Sequence, residues 1–447
     1  MQTKQPKQDR RRFLKHTGIV TAGALAGAAI PMVHAAEDNT VKIGLVGCGG
    51  RGTGALMNAM STEGPKKIVA LGDVFQNKVQ NTAKMVTDKH KDSADIPQER
   101  QFVGFEAYKN VVDAVGPGGV VFFATAPAFR PMHVEYAVEK GVNVFMEKSF
   151  AVDAPGIRRM LKAGEKAKEK NLKIVGGLMS RHNKATQAAI EQLHNGIIGE
   201  RILCRTYREH GPVGLSKRQA DESVLSHQIR NYSNFTWLNG SFFLDWLIHG
   251  LDVACWAKGA WPVDAQGQGG RAVRKEKDTM FDHYSIEYSF ADGTRLLAQG
   301  RHQANTWNCF HAPILGEKGL AVLGEVGPES KNPAIYKGFN PVKENIIWRH
   351  PGVGRDAYVV EHDVLFDAIR NDKPVNETER CCYAAMTGIL GRMAAFSGQK
   401  ITWDEALASN IELAPNLDKL SLDGDAPIMP DANGDYPVAV PGQTKVL

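Results

Sequence analysis

Val41-Lys42-Ile43-Gly44-Leu45-Val46-Gly47-Cys48-Gly49-Gly50-Arg51-Gly52 joins a short, almost wholly apolar run to a glycine-rich turn. A strand without polar alternation is covered on both faces, the condition of a parallel sheet flanked by helices. Gly47, Gly49 and Gly52 form a GxGxxG, a spacing that 45 glycines would produce somewhere by chance. Its setting gives it weight: it follows a strand, opens a helix, and is succeeded at Asp73 by an acid ending the next strand, 21 residues past the third glycine. Such glycines let backbone amides approach a pyrophosphate at the helix N-terminus, and an acid at that place accepts hydrogen bonds from an adenosine ribose. NAD is the expected ligand, because Asp73 would repel the 2′-phosphate of NADP.

Outward from this turn, apolar runs at 41–46, 68–72, 120–124 and 142–147 alternate with amphipathic stretches at 52–60, 77–89, 132–140 and 154–170. That alternation predicts an α/β unit with a parallel sheet and crossover helices. Further on, 285–290 alternates polar and apolar residues and leads through Asp292-Gly293 into 294–298, a hairpin of antiparallel strands. Helices are expected at 243–256, 358–370 and 378–397, and the Pro/Asp/Gly-rich tail after about 412 reads as an extended arm.

Upstream stands Arg10-Arg11-Arg12-Phe13-Leu14-Lys15, then an Ala/Gly-rich run over 18–33 and a small-residue site at Val33-His34-Ala35. This order predicts a twin-arginine export signal cleaved after Ala35, and hence a periplasmic or extracytoplasmic protein. Asp9 departs from the Ser or Thr usual before the arginines. The run is broken by Pro31 and falls short of the ~20 apolar residues a membrane span requires. Residues 1–35 hold six of the 54 Lys and Arg and one of the 49 Asp and Glu, leaving 48 of each sign. The formal charge of +5 therefore belongs to the signal and gives no ground for nucleic-acid binding. Six cysteines without CxxC or Cys/His spacing predict no metal site and few or no disulfides. Export in the folded state predicts that the nucleotide travels tightly bound, since no free nicotinamide pool exists outside the cytoplasm.

Ala124-Thr125-Ala126-Pro127 after one strand, His133 on the next helix and Glu147-Lys148-Ser149 after another strand resemble the Gfo/Idh/MocA family, in its exported subgroup with a motif like Gln228-Ile229-Arg230-Asn231-Tyr232. The resemblance implies an N-terminal Rossmann domain over 38–165 and a C-terminal α/β domain over 166–410. The second domain's open, largely antiparallel sheet would include strands near 172–179, 201–208 and 263–273, followed by an arm over 411–447. It implies cofactor contacts from Gly47, Gly49, Gly50, Arg51, Gly52, Asp73, Thr125, Pro127, His133, Glu147 and Lys148. Ser149 replaces the family's usual proline, which leaves the local backbone open. Lys148, at the carboxyl end of a buried strand, would touch both the substrate hydroxyl and the nicotinamide ribose.

Asp245, His249 and Asp252 share one face of the expected helix at 243–256, a spacing at which a carboxylate can fix a histidine tautomer and raise its basicity. Matched to the family's Asp-x-x-x-His, His249 becomes the general base with Asp245 orienting it. Arg181, Arg230 and Tyr232 are candidate substrate contacts, with Trp237 a further stacking surface for a sugar. The implied activity is NAD-dependent hydride transfer from a sugar or polyol carbinol. A redox-neutral glycosidase acting by oxidation, elimination and re-reduction is the alternative, and the expected assembly is a homo-oligomer, dimer or tetramer.

Overall fold

The computed structural model describes residues 39–325, 332–352 and 354–447. The export signal expected over 1–35 lies outside the described residues. Six parallel strands build the first sheet: β1 (Val41–Val46), β2 (Lys66–Asp73), β3 (Gln101–Val103), β4 (Val120–Phe123), β5 (Asn143–Met146) and β6 (Ile174–Gly176). Between them run α1 (Gly50–Met60), α2 (Gln76–Lys89), α3 (Ala107–Val115), α4 (Arg130–Glu139) and α5 (Ala154–Glu169). The strand order β3-β2-β1-β4-β5-β6 is that of a Rossmann sheet, with its reversal between β1 and β4. β1, β4 and β5 are apolar because helices cover both faces; Ile43, Leu45, Phe122, Phe123 and Phe145 are all buried.

The strand expected near 172–179 joins this sheet as β6, pairing in parallel with β5, and not the antiparallel one. The parallel sheet thus runs past the boundary placed at 165. β3 and α3 go beyond the elements anticipated. β3 is a three-residue edge strand, half-exposed, and too short to show a period.

After α6 (Lys184–His194), β7 (Arg201–His210), α7 (Val224–Arg230), α8 (Thr236–Asn239) and α9 (Phe242–Lys258) comes a run of seven strands. These are β8 (Asp264–Gly270), β9 (His283–Ser289), β10 (Arg295–His302), β11 (Cys309–Gly316), β12 (Gly319–Glu325), β13 (Ala334–Lys337) and β14 (Ile346–Arg349). α10 (Ala357–Arg370), α11 (Thr378–Ser397), β15 (Ile401–Thr402) and α12 (Trp403–Ala408) follow. The nine-stranded second sheet has the order β14-β13-β12-β11-β7-β10-β9-β8-β15 and is antiparallel except where β7 meets β10. The expected hairpin is β9–β10, in register from Ser289 and Arg295 to His283 and Arg301.

α9 seats against β7 through Gly250, where a Cβ would lie 1.9 Å from the Thr206 hydroxyl. That close approach fixes the neighbouring His249 against the sheet. α10 returns to the Rossmann layer, burying Leu365, Phe366 and Ile369 in the same core as β1. The tail packs back on its own chain: the Leu413 amide donates to Asp153 Oδ2 (2.8 Å), and the Gln228 side chain donates to the Ile428 carbonyl (2.7 Å). Among the described residues no helix is long and apolar enough to cross a membrane.

Candidate active site

The glycine turn is shaped for a ligand. Gly47 has φ +97°, and a Cβ there would meet the Ala124 backbone at 2.6 Å; at Gly52 it would fall 2.0 Å from the Gly47 carbonyl oxygen. Gly49 differs, because a Cβ at its position would have no atom within 4 Å, so the space above it is open to a phosphate. α1 starts at Gly50 with no side-chain cap, which leaves its first amides for an anion. A cleft of about 270 Å³ runs from here past Gly50, Asp73, Thr125 and His133. Asp73 accepts from the amides of Cys48 (2.7 Å, Oδ2) and Phe75 (3.0 Å, Oδ1), so it braces the turn while facing the cleft. Burial raises its carboxyl above the ordinary value, and those amides pull it back. The uncapped amides, open glycine and acid fit a dinucleotide.

His133 stacks on Tyr108 with ring centroids 4.3 Å apart and holds Nδ1 3.2 Å from the Thr125 hydroxyl. Burial, then Arg130, keeps it neutral by moving its pKa well below the usual histidine value. Arg130, which sequence reasoning passed over, is fully buried and donates to the Phe123 and Thr125 carbonyls, tying down the loop after β4. Its signal was a charge inside the apolar stretch Ala128-Phe129-Arg130-Pro131-Met132. Pro127 is buried, starts a 3₁₀ turn and is not among the residues lining the cleft.

At the ends of β5 and α1, Arg51 donates to Glu147 (2.5 Å), lies 3.7 Å from Glu361 and rests over the Tyr358 ring at 4.6 Å. Glu147 therefore reaches the cofactor region through Arg51. Glu361 is wholly buried, and neither carboxyl oxygen has a hydrogen-bond partner among the described residues. Burial, reinforced by Glu147, holds its carboxyl well above the ordinary carboxylate range.

Lys148 donates to the Asp245 carboxylate (2.9 Å) and to the Asp245 carbonyl (2.6 Å), leaving its third donor for a ligand. Burial alone would lower this ammonium; Asp245 outweighs it and keeps Lys148 above the usual lysine value, hence charged. The Lys148–Ser149 peptide is cis, which answers the question that Ser149 raised about the local backbone.

The expected Asp245–His249 pair does not form. Asp245 is turned to Lys148, and His249 Nδ1 has no hydrogen-bond partner among the described residues. Instead of being made more basic, His249 is pulled down to about 3, first by burial and then by Lys148, Arg208 and Arg51. Asp252, the third acid of that face, forms a two-pronged pair with Arg181 (2.8 and 2.7 Å). Arg181, expected to face substrate, is committed to that pair and to the Trp256 ring at 4.4 Å.

His249 opens on a second cavity, of about 450 Å³, whose lining includes Ser180, Asn183, Phe310, His311 and Tyr358. None of these was foreseen, since they come from elements far apart in the chain. Arg230 and Tyr232, expected at the substrate, line the dinucleotide cleft instead. Arg230 is paired with Glu222 (2.7 and 2.5 Å). The Tyr232 hydroxyl is raised by Asp245 and by burial, against the opposing pull of Lys148. Trp237 is fully buried with its indole donating to Gln228 (2.6 Å), a core residue and not a sugar platform.

No family model matches the chain. Inositol 2-dehydrogenase of Pseudomonas fluorescens is 24% identical over 335 residues, spanning 74% of this chain and 87% of that protein. Inositol 2-dehydrogenase/D-chiro-inositol 3-dehydrogenase of Halalkalibacterium halodurans is 24% identical across 81% of the chain and 93% of its own length. These relatives support the resemblance to the Gfo/Idh/MocA family. Among solved structures, the fold is shared by scyllo-inositol dehydrogenase from Lactobacillus casei with bound NAD(H) and scyllo-inositol. That structure has TM-score 0.61 and 20% identity, covering 82% of this chain and 99% of the other. Aldose-aldose oxidoreductase from Caulobacter crescentus has TM-score 0.63 and 17% identity, covering 81% and 99%.

Proposed function

We propose that the chain is an exported, nicotinamide-dependent oxidoreductase that takes a hydride from a carbinol carbon of a sugar or polyol. One observation carries the reading: Lys148, held charged by Asp245, stands near enough to His249 for its charge to act on that neutral ring, which lines the second cavity. The inositol dehydrogenases among its relatives support the substrate class. When bound, the nicotinamide supplies the hydride acceptor. Lys148 directs its third N–H at the carbinol oxygen and favours the alkoxide; the unprotonated ring of His249 takes the proton. Asp245 keeps Lys148 charged. Gly49, the α1 amides and Asp73 would hold the dinucleotide, with Asp73 selecting NAD.

Twin arginines at Arg11-Arg12 and the small residues before Ala36 support passage through the folded-protein export route, with the cofactor carried along. The test is the reduced-nicotinamide absorbance of the protein as purified, with monosaccharides, polyols and simple glycosides supplied in turn. A lasting rise with a keto product is the expected result. Release of an aglycone with no net change in the cofactor would overturn it in favour of a redox-neutral glycosidase.

A further inference from the structure

Three residues of the dinucleotide cleft, Ile229, Arg230 and Tyr232, come from one small segment, the end of α7 and the 3₁₀ turn Tyr232–Asn234 behind it. A helix of seven residues does not stand on its own propensity, so this wall is only as firm as what backs it. The arm that follows α12 backs it. The Ser223 hydroxyl, which caps α7, donates to the Leu422 carbonyl (2.5 Å). Gln228 is wholly buried; its side chain donates to the Ile428 carbonyl (2.7 Å) and accepts from the Trp237 indole (2.6 Å). One amide thus ties the arm to both ends of the segment. Phe235, just past the turn, meets the Tyr436 ring edge-on with centroids 5.0 Å apart.

Apolar packing follows the same seam. Leu225, Phe235 and Trp237 share a buried cluster with Phe129, which itself lines the cleft. The arm completes that cluster with Ala426, and Leu417, Leu420 and Ile428 pack against it. Residues 199 and 200 positions downstream therefore hold a wall of the cleft in place. The proton chemistry of Lys148 and His249 uses none of these contacts. A ligand closed in by such a wall leaves when the wall yields, and the cost of yielding includes the arm's hydrogen bonds and its ring contact.

We infer that the arm is a strap across the back of α7 that holds the cleft wall shut and so sets how long a dinucleotide stays bound. The inference rests on the cofactor reading above and assigns the slow departure of that cofactor to a particular part of the chain.

The experiment loads the full chain with NADH, chases it with an excess of NAD and follows the loss of nicotinamide fluorescence, with amide hydrogen exchange read on the same proteins. Ala426→Asp puts a carboxylate into the apolar cluster, and Tyr436→Ala removes the ring that meets Phe235. Each should release NADH about 10- to 100-fold faster than the parent, the scale of one or two lost buried contacts. Exchange should quicken over 223–237 and along the arm, while β1 and α1 keep the parent's protection. Ser223→Ala deletes a single hydrogen bond to the arm; it should give a smaller step in the same direction, and it carries the test if the other two variants do not fold.

Release at the parent's rate from a variant whose arm exchanges freely would overturn the strap and leave the cofactor reading standing. Faster release accompanied by lost protection in β1 and α1 would overturn it too, since the whole fold would then have loosened. A parent that binds neither NADH nor NADPH would bring down the cofactor reading, and the strap with it.

Discussion

Asp245 and His249 stand four residues apart on one helix, yet the carboxylate serves a lysine 97 residues earlier in the chain. The two arrangements predict different pH behaviour. If Asp245 holds Lys148 charged, Asp245→Asn removes the largest pull against burial and lowers the lysine pKa, so the alkaline limb of the rate profile moves to lower pH. Were it orienting His249, the acidic limb would move instead. The pH dependence of kcat/KM for the variant decides. Lys148→Met should lower turnover by about 10²- to 10⁴-fold, the scale of general acid–base assistance, measured by cofactor reduction under saturating substrate.

Glu361 provides a test of burial itself. Its carboxyl lies above the ordinary range in the folded protein, so the folded state binds more protons than the unfolded one once the pH exceeds the unfolded value near ~4.3. Stability is therefore lost as the pH climbs above that point. Glu361→Gln removes the dependence, and its melting temperature relative to the parent should rise between pH 5 and pH 8, roughly the range over which unfolded glutamate is ionised. A constant difference across that range would refute the assignment.

At the scale of the element, the turn from β1 into α1 separates packing from binding. Gly52→Ala places a methyl 2.0 Å from the Gly47 carbonyl oxygen and should cost about 1–3 kcal/mol of stability in denaturant titrations. Gly49→Ala meets nothing within 4 Å, so the fold should survive while the purified protein loses bound nucleotide. This turn was legible from sequence because its logic is local, with strand, glycines, helix and Asp73 all within one βαβ unit. α9 was legible in its buried face, where Leu244, Leu247, Ile248, Leu251 and Ala254 are wholly inside, but its polar face was not. The partners of Asp245 and Asp252 arrive from Lys148 and Arg181, and helical spacing carries no record of them. Trp237 was misjudged for a related reason, since an aromatic residue reads alike whether it packs in a core or faces a ligand.

Across the whole molecule, the alternation of strands and helices gave away the Rossmann sheet, and the hairpin gave away the antiparallel one. The junction between them was hidden. β6 sat at the margin of the expected domains and went to the other sheet, while α10 brings Tyr358 and Glu361 back to Arg51 from far along the chain. Export belongs to this scale too. Replacing Arg11 and Arg12 by lysine should keep the protein in the cytoplasm, as fractionation would reveal, with its nucleotide still bound.

The most direct test of hydride transfer is to supply the reactive sugar or polyol deuterated at its carbinol carbon and to analyse the nicotinamide released by denaturation. Deuterium on the nicotinamide ring, with a slowed reduction step, is the predicted result. A reduced but unlabelled cofactor, or a labelled substrate converted without passing its deuterium to the nicotinamide, would contradict it.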